Sequence, residues 1–193
     1  MNIELLIAGI VVLIIIVGLV GWLVGVYNGL VMRRNDVDKA FANIDVLLKQ
    51  RADQIPDLMR VVQTAMNHEN ALFTRLSDAR TQYLNASSLT DKVDASNQLN
   101  AALKSVIAVA ENYPVLISGP NMVELQQAIS AVEERIADRR EFFNESVNLY
   151  NIAIAIFPDL FFARMLGYQR IPLLAISAEE TRYDGVKLEV PGA

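Results

Sequence analysis

The sequence predicts an all-α fold, in which an N-terminal transmembrane helix continues into a long-helix antiparallel bundle, four-helix-type and coiled-coil-like. Three observations predict it. No charged residue occurs from Leu5 to Met32, apolar residues beyond that run recur at spacings alternating four and three, and loop signals divide the remainder into segments of helical length. The expected organisation is a transmembrane anchor over residues 1–32, a helical bundle domain over 33–176 and a loosely structured C-terminal tail over 177–193.

The anchor is the most direct reading. An uncharged run of 28 residues exceeds the roughly 20 that cross a bilayer core as helix. A cleaved signal peptide needs a basic start and a small-residue cleavage site, whereas Glu4 precedes this run and Val26-Tyr27-Asn28-Gly29 closes it. Membrane lipid is thus the expected partner of residues 5–32. Arg33, Arg34, Lys39, Lys49 and Arg51 follow the span and no Lys or Arg precedes it. That asymmetry predicts a single-pass protein of the inner or cell membrane, its N-terminus outside and its body cytoplasmic. Trp22 and Tyr27 suit an interfacial belt, and Gly18, Gly21, Gly25 and Gly29 fall on one stripe along which two such helices could approach. Glycine is also simply common in membrane helices, so the stripe is a hint of self-association and not a motif.

Beyond the anchor, Leu30, Val37, Phe41, Ile44, Leu48, Ile55, Leu58, Val62, Leu72, Leu76, Ala79 and Tyr83 follow a 3.5-residue average repeat. If unbroken, residues 27–83 form a rod of roughly 85 Å at 1.5 Å per residue. Pro56 predicts a kink, since it has no N–H for the carbonyl of Ala52. Asn67-His68-Glu69-Asn70, where poor helix formers cluster, mark a second weak point. Residues 84–90 read as a loop, Asp91 to Tyr113 as a helix ended by Pro114, and Asn121 with Glu124 as the capped start of a third long helix. Phe157-Pro158 ends that helix, and a short apolar one is expected from Asp159 to Gly167.

Composition excludes more than it assigns. Net charge is −5 and the pI is near 4.9, with Lys and Arg interspersed among acids, so no nucleic-acid footprint is present. With no cysteine, disulfides, thiolate metal sites and cysteine nucleophiles are all excluded. The single histidine, His68, is followed by Glu69, yet position 72 is Leu and position 65 is Ala, so neither a zinc-protease nor a di-iron ligand set can be assembled around it. No catalytic, cofactor-binding or metal residue is assigned, and the chain is not expected to be an enzyme.

Two features remain. Arg51, Glu69 and Arg139 stand where a pure seam carries Leu or Ile, either to set register through buried pairs, with Asp53 and Glu134 nearby, or with their stems along the apolar face and their heads in water. The segment 152–176 is too apolar for a free surface and too charged for a second span. Its Phe157, Leu160, Phe161, Phe162, Met165 and Leu166 are candidates for a bundle cap, a subunit interface or a membrane-surface contact.

The pattern Tyr27-Asn28-Gly29-Leu30-Val31, Arg34-Asn35, Ala40-Phe41, Ile44-Asp45-Val46, Leu48, Arg51 to Leu58, His68-Glu69, Ala79-Arg80, Arg135-Ile136-Ala137, Arg139-Arg140, Asn144, Val147, Tyr150-Asn151, Phe157-Pro158 and Gly167-Tyr168 resembles the LemA family over nearly the whole chain. The resemblance implies a bacterial membrane protein with an N-terminal anchor and a long-helix bundle, and supplies a fold but no reaction. Ile171-Pro172-Leu173-Leu174 departs from that family's aromatic-acidic run. The function expected is a self-assembling scaffold, a homo-oligomer without cofactor. An adaptor for a protease, kinase or envelope enzyme, docking through 152–176 or Arg51 to Asp57, is the alternative, and an unrecognised hydrolase a distant third.

Overall fold

The computed structural model describes residues 3–66 and 68–175; the expected loose tail, 177–193, lies outside them. Among the described residues there are six helices: α1 Ile3–Gln63, α2 Asn70–Asn85, α3 Leu89–Ala110, α4 Pro114–Ile117, α5 Pro120–Ala153 and α6 Asp159–Met165. The all-α fold and the antiparallel bundle follow the sequence.

α1 spans 61 residues without interruption, about 90 Å of helix. Its first part is long and apolar enough to cross a membrane, with a mean hydropathy of 3.1 over its most apolar window and no residue of that window buried. Shielding begins at Leu23 and Val26, and Leu30 is fully buried. From there α1 is the bundle's spine. Phe41 meets the ring of Phe143 on α5, while Tyr83 on α2 and Lys92 on α3 both reach Asp45. Arg51 then reaches Ser96 on α3 and Glu133 on α5. Residue numbers rise together on α1 and α3 and oppose on α2 and α5, so the helices run up, down, up, down.

Helix continuity is decided differently at the two weak points. Pro56 neither ends nor divides α1. The break comes instead at residues 64–69, where the chain reverses into α2. The rod expected over 27–83 therefore stops at Gln63. Periodicity could not reveal this, because Met66 takes the buried position after Val62 and Phe73 and Leu76 resume the spacing beyond the turn.

Elsewhere the boundaries shift by a few residues. Ser88 caps α3, accepting from the N–H of Asp91 at 3.0 Å and donating to its carboxylate at 2.6 Å, so the helix begins before Asp91. α5 starts not at an Asn121 cap but with Pro120 in its first turn behind Gly119, since the fixed φ of proline suits the first helical position. α6 ends at Met165. Gly167 at φ 68° lets its own N–H reach the Arg164 carbonyl at 3.2 Å and that of Tyr168 reach the Ala163 carbonyl at 2.9 Å. This left-handed C-terminal cap explains the Gly-aromatic pair.

The buried stripe of α1 includes Ala40, Leu47 and Ala52 beside the seam residues. That width is what a helix needs when it packs against two neighbours, not along one narrow seam.

Candidate functional site

Three constellations carry the polar and exposed apolar groups that packing alone does not demand. The first is a layer around Arg51, which is 3% exposed. Its Nη1 donates to Glu133 Oε1 at 3.1 Å, and its Nη2 to Ser96 Oγ at 2.7 Å and the Ser96 carbonyl at 3.3 Å. One guanidinium thereby ties α1 to α3 and α5. A cavity of about 10 Å3 beside it is lined by Arg51, Ser96, Asn100 and Arg140. One turn away, Tyr83 donates to Asp45 Oδ1 at 2.9 Å and Lys92 to Asp45 Oδ2 at 2.8 Å. Burial, and then the Asp45 carboxylate, push the Tyr83 hydroxyl far above its ordinary range.

The second is a strap, residues 171–175, laid over α5 and α3. Asn151 brackets Ile171, donating to its carbonyl at 2.8 Å and accepting from its N–H at 3.0 Å. Asn144 treats Leu174 the same way, at 2.9 and 3.0 Å. Asn97 spans the end, donating to the Leu173 carbonyl and accepting from the Ala175 N–H, and Arg140 donates to the Ala175 carbonyl at 3.2 Å. Three primary amides thus do for the strap what a neighbouring strand does in a sheet. Ile171 and Leu174 are buried beneath it.

The third is the end of the bundle nearest the apolar stretch of α1. Arg33 pairs with Asp159 at 3.0 Å, tying α6 to α1. The Arg34 guanidinium lies 5.8 Å from the Tyr150 ring centre, and Tyr150 meets Tyr168 at 5.9 Å. Burial raises the pKa of Tyr150, and Arg34 opposes the shift.

The sequence-predicted residues divide among these places. Arg51 is a buried tie, but its partner is Glu133, not Asp53 or Glu134. Glu69 precedes α2 in the turn, half exposed and outside any helix seam. Arg139 is exposed, and its neighbour Arg140 takes the inward place. Both residues satisfy the spacing between Ile136 and Phe143, and the carbonyl of Ala175 decides for Arg140. His68 lies exposed in the same turn as Glu69. Of the apolar candidates, Phe162 and Leu166 pack on the core and Leu160 is half buried, whereas Phe157, Phe161 and Met165 face outward. Beside Gly18, Gly21, Gly25 and Gly29 a Cβ meets nothing within 4 Å, so that stripe is open.

Asn97, Asn144 and Asn151 were not singled out for this role from the sequence. A signal exists, since Asn144 and Asn151 stand seven residues apart within a long helix whose interior disfavours asparagine. Among the described residues, no group of three or more His, Asp or Glu side chains is placed to hold a metal.

Fold and constellations together define a membrane-associated helical protein, a four-helix bundle carried on an apolar N-terminal helix. The chain belongs to the LemA family, whose model matches residues 40–188. It is similar to the magnetosome protein MamQ of Magnetospirillum gryphiswaldense, 24% identical over 171 residues that cover 75% of this chain and 63% of the relative. It is also similar to magnetosome protein MamQ 2 of Paramagnetospirillum magneticum, 25% identical over 170 residues, 75% of this chain and 62% of that one. The chain spans less than two thirds of the length of these curated relatives.

Proposed function

We propose that this protein is a non-catalytic, self-assembling scaffold, crossing the inner or cell membrane once through residues 5–32 and holding its bundle on the cytoplasmic side. The observation that carries the reading is α1 itself. One helix runs from an apolar stretch with no bundle contacts into the centre of the bundle, so whatever pairs the anchors also sets the spacing and facing of the bodies. The 3.5-residue seam is consumed inside one chain, with Val37, Ile44, Leu48, Ile55 and Leu58 all buried there. Self-association therefore falls to the open stripe Gly18, Gly21, Gly25 and Gly29. The basic residues after the span support the cytoplasmic placement. The buried Arg51 and the half-buried Asp45 hold helices together, which supports a structural task over a catalytic one. The relatives are named for the magnetosome and not for a reaction, in keeping with that reading.

Native mass spectrometry in mild detergent tests it. Oligomers are expected from the full chain, and their loss in Gly21→Leu/Gly25→Leu and in a version lacking residues 1–30. Monomers alone across a wide concentration range would sink the proposal.

The adaptor reading draws on the outward-facing Phe157, Phe161 and Met165. Its other docking region is weaker, because Arg51, Ala52 and Ile55 are buried. Crosslinking in cells from position 161 to one heterologous protein would favour it over self-assembly.

A further inference from the structure

We propose that the turn 155–158 and the outer face of α6 form a foot that lies in the lipid headgroup layer beside the anchor, so that the bundle is seated on the membrane as well as tethered to it. The proposal rests on residues 5 onward crossing the bilayer, as argued above.

The register between α1 and α5 sets the level of this turn. Phe143 stands against Phe41 and Tyr150 against Arg34, seven residues further on each helix. Continued to the end of α5, that register puts Ile154 at the level of Leu30, and the turn 155–158 follows toward the stretch of α1 where Leu23 and Val26 are half-buried. A hydrocarbon core of about 30 Å, entered at Leu5, takes about 20 residues and ends near Val24. Val26 to Gly29 then stand roughly 3–8 Å beyond it, in the headgroup zone, which adds about 5–8 Å on each side. Trp22 and Tyr27 stand on either side of that boundary at Val24, and both are exposed.

What projects at that depth is apolar. Phe157 is 84% exposed, Phe161 68% and Met165 66%, at successive intervals of four, and Ile156 lies beside Phe157. In water these would be costly to display, whereas an aromatic and aliphatic face is what interfacial elements bury. The charges around it match a lipid surface. Arg33, Arg34, Arg164 and Arg170 belong to this end; Asp159 is buried in the ion pair with Arg33, and Asp38, one turn further from the anchor, pairs with Arg34 at 3.1 Å. A basic rim around an apolar face suits anionic headgroups. The inner faces of the same elements, Phe162, Ala163 and Leu166, pack on the bundle, so the foot is fixed in place and not a free amphipathic segment.

Because the chain has no cysteine, single cysteines report unambiguously. Full-length Phe157→Cys, Ile15→Cys and Ser105→Cys variants, each carrying an environment-sensitive fluorophore, are reconstituted in vesicles of phosphatidylcholine with one quarter phosphatidylglycerol. Spin-labelled lipids quenching near the headgroups or at the bilayer centre then give depth. The label at 157 is expected to be blue-shifted and quenched more by the shallow lipid than by the deep one, the label at 15 the reverse, and the label at 105, at the far end of the bundle, by neither. If 15 is quenched and 157 remains open to aqueous iodide, the foot is wrong and the anchor stands. A label at 157 that is blue-shifted but quenched by neither lipid places a protein there and also overturns the foot. If 15 itself escapes the deep quencher, the spanning reading fails and the foot with it.

Discussion

Arg80 on α2 donates through Nε to the backbone carbonyl of Ala52 on α1 at 2.8 Å. That carbonyl is the one Pro56 cannot serve, because proline has no N–H to return four residues back. A side chain from the neighbouring helix supplies the missing donor, and α1 passes Pro56 without ending. Arg80→Met is expected to lower bundle stability by about 1–3 kcal/mol, the cost of a part-buried carbonyl left without its donor. In a Pro56→Ala background the new N–H can take the same carbonyl, so the Arg80→Met loss should shrink. Urea unfolding of the full chain in mild detergent, followed by helical circular dichroism, closes the double-mutant cycle. A coupling of about 0.5–3 kcal/mol is expected, and strict additivity would refute the compensation.

Arg51 and Glu133 differ in exposure, with side chains 3% and 32% accessible. Removing the acid strands a charge in the core, while removing the base frees a carboxylate that can turn to water. Glu133→Ala is therefore expected to cost about 1–3 kcal/mol, discounted for the partial exposure of the pair, and Arg51→Met about 1 kcal/mol or less. The reverse order in the same unfolding assay would show that Arg51 contributes more as a tie to Ser96 than it costs as a buried charge.

Burial, and its hydrogen bond to the Asp45 carboxylate, hold the Tyr83 hydroxyl well above the ordinary tyrosine range. A raised folded-state pKa contributes stability that is complete below the unfolded value and lost as pH climbs past it. The contribution of Tyr83 to stability should be flat through neutrality and fall above about pH 10, as the unfolded chain releases a proton that the folded one retains. Tyr83→Phe should cost about 1 kcal/mol at neutral pH and make the alkaline decline shallower. An alkaline slope unchanged in Tyr83→Phe would assign the decline to other groups, Tyr150 first among them.

Sequence patterning reached the elements and missed their partners. The apolar spacing placed Leu30, Val37, Ile44, Leu48, Ile55 and Leu58 in the core, where each is buried. It could not see the reversal between Gln63 and Asn70, because Met66 takes the next buried position there and leaves the spacing intact. Pro56 is read as a defect by any local rule, and only Arg80, on the next helix, makes it tolerable. Arg139 and Arg140 fit the α5 face equally well by spacing, and the distinction comes from the strap. Long-range contacts between side chain and backbone leave little periodic trace, which is why the asparagines were legible only as oddities within helices.

Those asparagines supply the sharpest test of the strap. Asn151 gives Ile171 one donor and one acceptor, and Asn144 does the same for Leu174. A primary amide carries a donor and an acceptor side by side on one planar head, whereas a carboxylate only accepts when ionised. Asn151→Asp keeps the bond from the Ile171 N–H but sets an anion against the Ile171 carbonyl, so it should release the strap at least as readily as Asn151→Ala. Each loss is expected to cost about 1–3 kcal/mol of local stability. Arg170, exposed just before the strap, offers trypsin a site once the segment lifts. If opening is fast relative to cleavage, the rate follows the population of the open form, rising about tenfold for each 1.4 kcal/mol lost. Asn144→Ala/Asn151→Ala should then be cut at Arg170 far faster than the parent chain, while Ser105→Ala, on the exposed face of α3, leaves the rate unchanged. If the aspartate variant is cut no faster than the parent, the bond to the Ile171 carbonyl is dispensable and the buried side chains of Ile171 and Leu174 hold the strap by themselves.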